Sequence, residues 1–191
     1  MNRMLIGLLV LGVTAALAAG AQAWTHHEPD NYGFFNACAR AAHDSSVGAP
    51  WDPSGMDACS KSIDTEPLSD KGMAFAHVNR GILRAALKHY KWAIDDFNSA
   101  AGLDPYLAEA PLNRAWAEIA LKQYAKALPD LDRALALQPK DRSRVFYNRG
   151  IVHEELGDVR AAYRDYAEAA QLSPNWDAPK QELARFKVVT K

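Results

Sequence analysis

The sequence predicts an all-α protein: a stack of antiparallel helix pairs closed by a C-terminal capping helix. Three observations carry that prediction. First, Pro105, Pro139 and Pro174 recur at intervals of 34 and 35 residues. Second, small and apolar residues stand in register with them. Leu103, Leu137 and Leu172 lie two residues upstream, Ala100, Ala134 and Ala169 five upstream, and Ala93, Ala127 and Ala162 twelve upstream. Third, a large residue (Phe97, Leu131, Tyr166) falls between those alanines, a small one (Gly81, Ala115, Gly150) lies farther upstream, and Tyr90, Tyr124 and Val159 fill one more column. A fixed period of this length marks a repeat architecture. Each unit reads as two amphipathic helices and a turn. Small residues let facing backbones approach, large residues fill the space beside them, and the proline stops the second helix because it cannot continue the hydrogen-bond ladder. One pair cannot bury its apolar face alone, so units stack.

The chain has 191 residues, 49% apolar and 24% charged, a globular composition suited to one domain. Residues 1–23 read as a signal peptide. Arg3 precedes an uncharged, apolar run from Met4 to Ala19, and Ala21 and Ala23 supply small residues for cleavage after Ala23 or, alternatively, after Ala21. An uncleaved anchor is the competing reading, for which the run is short and its second half rich in Ala and Gly. Export, to a periplasmic or extracellular location, gives the two cysteines meaning. Cys38 and Cys59 read as a disulfide, closing a loop worth about 3 kcal/mol. Two buried thiols are the alternative, and the Cys-x-x-Cys spacing of a redox pair is absent.

Residues 24–73 form a less regular lead-in, read as a degenerate helix pair stapled across Cys38 and Cys59, that caps the amino end. It contains a helix from Tyr32 to Ala42, a loop from Asp44 to Pro53, a helical face of Met56, Cys59 and Ile63, and Ser69 as the N-cap of the helix entering the first repeat. Three units follow, at about 74–107, 108–142 and 143–176. The longer second interval implies one extra residue in the turn around Lys140-Asp141-Arg142. From Asp177, the spacing of Ala178, Leu183 and Phe186 predicts a capping helix that tolerates Pro179 in its first turn, with the tail running to 191.

The small-residue column, the Ala-x-x-x-aromatic step (Ala93 to Phe97, Ala162 to Tyr166) and the closing proline resemble the tetratricopeptide repeat (TPR) family over about Ala74 to Asn175. The resemblance implies a right-handed superhelical solenoid. Two positions depart from it. His77, Pro111 and Phe146 replace the family's tryptophan, and arginine replaces the leucine before the small residue, which marks an Asn-Arg-Gly-like subtype. The lead-in resembles those of exported bacterial proteins of this type.

Two ladders run through the units. Arg80, Arg114 and Arg149 each precede an aspartate by 16 residues: Asp96, Asp130 and Asp165. A semi-buried arginine needs a counter-charge, so ion pairs within each unit are expected. The preceding Asn79, Asn113 and Asn148 point elsewhere, since neighbouring helix residues are rotated by about 100°. In the family, first helices line a concave groove. The resemblance therefore implies a ladder of amides able to hydrogen-bond an extended peptide, flanked by Val78, Ile82, Leu112, Trp116, Tyr147 and Ile151. The alternative is that the asparagines bond neighbouring helices. Val78 and Ile82 also occupy the first-unit face where the family's carboxylate clamp needs paired polar and basic residues, which disfavours binding of chaperone carboxyl tails.

Other classes are excluded by what the chain lacks. Twenty-two basic against 23 acidic residues leave no surplus for gripping nucleic acid. No zincin, nucleophile-elbow, phosphate-loop, dinucleotide or haem motif is present, so no catalytic residue and no cofactor is assigned. A mature start of Trp24-Thr25-His26 would present an amine, two amides and an imidazole to Cu(II) or Ni(II) in a square plane, which makes a periplasmic metal-binding protein the rival reading. The principal expectation is a non-catalytic adaptor that binds a protein or peptide partner in its groove and touches a membrane only through its leader during export.

Overall fold

The computed structural model describes residues 33–46 and 53–186. Among the described residues there are nine helices and no strand: α1 (Gly33–Ser46), α2 (Pro53–Thr65), α3 (Asp70–Ala86), α4 (Tyr90–Leu103), α5 (Glu109–Ala120), α6 (Tyr124–Ala136), α7 (Arg142–Glu155), α8 (Val159–Leu172) and α9 (Asp177–Arg185). Successive helices pack as hairpins, and α1, α3, α5 and α7 also touch in sequence along one side of the stack. The leader and the Trp24-Thr25-His26 segment lie outside the described residues.

Local chemistry sets the ends of the helices. Ser69 caps α3 by accepting from the Gly72 amide at 3.2 Å, and Asp141 and Asp158 do the same for α7 and α8. The turn inside each repeat hairpin repeats one motif. Lys88, Lys122 and Gly157 adopt left-handed backbone angles (φ 61°, 59° and 86°). Their amides donate to the carbonyls of Ala85, Ile119 and Glu154, the next amide donates back to the carbonyl of Arg84, Glu118 or His153, and the two bonds per turn satisfy carbonyls the helix end leaves open.

The small–large columns are a packing contact. A Cβ on Gly81 would lie 2.4 Å from the Phe97 ring, and one on Gly150 would lie 2.7 Å from the ring of Tyr166. Phe97, Leu131 and Tyr166 are fully buried. The backbone of each first helix thus rests on the large residue of its second helix, with glycine against the rings of Phe97 and Tyr166 and Ala115 in the unit that carries Leu131.

The lead-in is the expected stapled helix pair, with different bounds. α1 runs on through Asp44 to Ser46, and Pro53 opens α2, where its fixed φ and missing amide suit a first helical turn. The pair is a fourth hairpin with its own closing proline, Pro67. Twelve, eight and five residues before it stand Gly55, Cys59 and Ser62, in the columns of Ala93, Phe97 and Ala100. All three are buried. The Cys38 and Cys59 sulfurs are 2.10 Å apart, a disulfide joining the hairpin at the place of the large column. At the other end α9 covers the third unit, with Phe186 edge-on to Tyr163 and Tyr166.

Candidate functional site

The arginine column lies between hairpins. Arg80 grips Asp96 through Nε and Nη2, the latter at 2.8 Å. Arg114 holds Asp130 with two bonds of 2.6 Å, and Arg149 holds Asp165 with two of 2.8 Å. These forked pairs match the planar guanidinium to the carboxylate. Each Nη1 also reaches back to the preceding hairpin, donating to Ser60 Oγ (3.4 Å), Asn98 Oδ1 (2.7 Å) and Asp132 Oδ1 (2.7 Å) respectively. Sequence reasoning missed this second arm. Its signal was present, because Ser60, Asn98 and Asp132 each stand seven residues before a closing proline.

One turn beyond each arginine the units differ. Arg84 donates to Asp96 Oδ2 at 2.8 Å, and His153 Nε2 lies 3.7 Å from Asp165 Oδ2. Asp96 also meets His77 Nδ1 at 3.1 Å. Burial pushes the Asp96 carboxyl up, yet hydrogen bonds from His77 and Arg80 and the charges of Arg80 and Arg84 hold it below the usual carboxylate range. In the middle unit this place is taken by Glu118. Its Oε2 is buried without a hydrogen-bond partner. Burial, together with the negative charge of Asp130, pushes its pKa up to about 7 against the opposing pull of Arg114 and Lys126.

The asparagines are not open rungs. Asn79, Asn113 and Asn148 are 2%, 4% and 5% exposed. Asn113 spends its amide on its own helix, donating to the Glu109 carbonyl at 2.9 Å. Asn79 Oδ1 and Asn148 Nδ2 are buried without a partner. Val78 and Ile82 are fully buried, and Leu112 and Trp116 nearly so. The expectation that these seven residues face an open groove is therefore corrected. The α1–α2 hairpin acts as a preceding unit, and Val78, Ile82 and Trp116 join Phe35, Cys38 and Ala42 in one continuous core. Tyr147 and Ile151, in the same register on α7, remain half-buried. Tyr147 packs against Trp176 with ring centroids 4.7 Å apart, and burial raises its phenol to about 12. The inner wall is thus fully covered at its amino half and only partly covered at its carboxyl half.

Among the described residues, no group of three or more His, Cys, Asp or Glu gathers as metal ligands, and no helix is long and apolar enough to cross a membrane.

The tetratricopeptide repeat family model matches residues 108–141 and 143–175, the second and third units. Among solved structures, the chain is similar to the first TPR domain of Spaghetti (RPAP3) bound to the HSP90 peptide SRMEEVD. Identity is 30% and the TM-score 0.57, covering 62% of this chain and 91% of that one. The first TPR domain of human RPAP3 gives 30% identity and a TM-score of 0.56, covering 59% and 88%. MamA from Desulfovibrio magneticus RS-1 shares the fold at 22% identity and a TM-score of 0.65, covering 82% and 84%.

Proposed function

The chain belongs to the tetratricopeptide repeat family, whose fold is a non-catalytic scaffold for protein–protein interaction, and from that premise we propose that it is an adaptor holding an extended, partly apolar segment of a partner protein against the carboxyl half of its inner wall. The observation that carries this reading is the gradient of exposure along one register, from Val78 and Ile82, fully buried on α3, to Tyr147 and Ile151, half-open on α7. An apolar wall with aromatic anchors suits such a segment. The similar RPAP3 domain is bound to a peptide, which supports a peptide as occupant. With Val78 and Ile82 buried in the first unit, no polar and basic pair stands there to clamp a terminal carboxylate, so an internal segment fits better than a free C-terminus.

The compartment proposed is an exported one. The leader pattern of residues 1–23 supports it, as does the buried Cys38–Cys59 bridge, since such bonds persist where the surroundings are oxidising. The adaptor role is tested with a photo-reactive residue at position 151 and a control at 106, where Tyr106 stands 80% exposed on the loop between hairpins. Position 151 is expected to cross-link one partner, and Ile151→Asp to abolish that partner's binding without loss of helicity. Cross-linking only from position 106, with Ile151→Asp still binding, would overturn the reading.

A further inference from the structure

We propose a second docking surface, on the edge formed by the turns within the first two repeat hairpins, that takes an acidic segment of a partner protein carrying one apolar side chain. The apolar component is a shallow groove of about 500 Å³ between α2 and the α3–α4 turn, lined in part by Met56, Leu87, His89 and Trp92, with Asp57, paired to Lys61 at 2.7 Å, on its α2 side. Trp92 is 58% exposed, and His89 stacks edge-on against it at 4.8 Å, which holds the indole out toward solvent. A large exposed indole beside such a groove is a costly arrangement for a surface that meets only water.

The charged component is four lysines. Lys88 and Lys91 flank His89 and Trp92, and the next turn repeats the pattern with Lys122 and Lys126 in the places of Lys88 and Trp92. All four are exposed, and among the described residues none forms an ion pair. Stacking of successive hairpins sets equivalent turns side by side, so the four charges form one ledge next to the groove.

Backbone geometry supplies the variants that test the ledge. Lys88 and Lys122 occupy left-handed positions that disfavour any side chain, while the third turn uses Gly157 at the same place. Gln138 has the same angle in the turn between the second and third units, so the angle alone marks no site. The fold accepts glycine at this place, so glycine at 88 and 122 removes both charges without breaking the turns.

The charge pattern favours a short segment over a flat anionic surface. The third turn brings exposed Glu155 and Asp158 beside Arg160, so basic character ends after two turns. A segment crossing two turns meets four lysines and one carboxylate, Asp57, which is already paired with Lys61, whereas a bilayer spanning the whole edge would also meet Glu155 and Asp158.

The test uses the mature chain and a fluorescein-labelled peptide of alternating Glu and Ser with one central Leu, read by anisotropy. The control peptide has Gln for Glu. Binding of the acidic peptide is expected to weaken with added salt. Lys88→Gly with Lys122→Gly should weaken it by about tenfold while raising the melting temperature, because glycine relieves both turns. Trp92→Ala should weaken it as well, and Ile151→Asp should leave it unchanged, which separates this surface from the inner wall. Equal binding of the two peptides, or unchanged binding in the double glycine variant, would overturn the proposal. So would a chain that ignores the peptide and sediments with phosphatidylglycerol vesicles.

Discussion

Glu118 lends itself to a quantitative test. It occupies the place where Arg84 and His153 face their aspartates, it is 7% exposed, and its Oε2 has no hydrogen-bond partner. Its pKa is pushed up from 4.5 to about 7, first by burial and then by Asp130. The folded state therefore binds this proton more tightly than the unfolded chain does. Stability from this group is full below pH about 4.5, declines as pH rises toward 7, and stays low above that. At 1.36 kcal/mol for each pKa unit, the penalty at pH 8 is about 3 kcal/mol. Glu118→Gln removes the charge while keeping the shape, so it should stabilise the protein by about 1–3 kcal/mol at pH 8 and by almost nothing at pH 4. Urea denaturation of both proteins at several pH values measures the difference, in which the other titrating groups cancel. A Glu118→Gln variant no more stable than wild type at pH 8, or equally stabilised at pH 4 and pH 8, would refute the argument.

Other perturbations follow from the same geometry. Gly81→Ala places a Cβ against the Phe97 ring and should cost about 1–3 kcal/mol in thermal denaturation. Gly102→Ala, in α4 with nothing within 4 Å of the added carbon, should be neutral or stabilise by about 0.5–1 kcal/mol. Arg114→Met leaves Asp130 without its forked partner and should cost about 3 kcal/mol. Arg80→Met should cost less, because Asp96 keeps His77 and Arg84; the contrast is read by chemical denaturation. Replacing Cys38 and Cys59 by alanine should lower stability by about 3 kcal/mol, and reductant should then have no further effect on the melting curve.

The repeats were legible because packing imposes them on the sequence. A helix backbone that rests on a neighbouring ring favours glycine, so Gly81 and Phe97, or Gly150 and Tyr166, recur as fixed pairs. The 16-residue step from arginine to aspartate was legible for the same reason, since it joins facing sides of one hairpin. The amino-terminal helix pair was legible, but its place in the repeat was obscured by a cysteine in place of a large side chain, although Pro67 kept its spacing to Gly55, Cys59 and Ser62.

The sequence by itself determined the helix pairs, their order and the residues sharing each helical face, because 3.6-residue periodicity and side-chain volume are local properties. It did not determine whether a face would be open or covered. That depends on how closely neighbouring hairpins approach. Only the tertiary structure decided that Val78 and Ile82 lie in a core shared with the α1–α2 hairpin while Tyr147 and Ile151 remain partly open. The second arms of Arg80, Arg114 and Arg149, and the uncompensated place of Glu118, were decided there too. The recurrence of Ser60, Asn98 and Asp132 is written in the sequence, but whether the arginines reach them, and whether Glu118 is covered, depends on how closely one hairpin approaches the next, which the periodicity of a single helix does not encode.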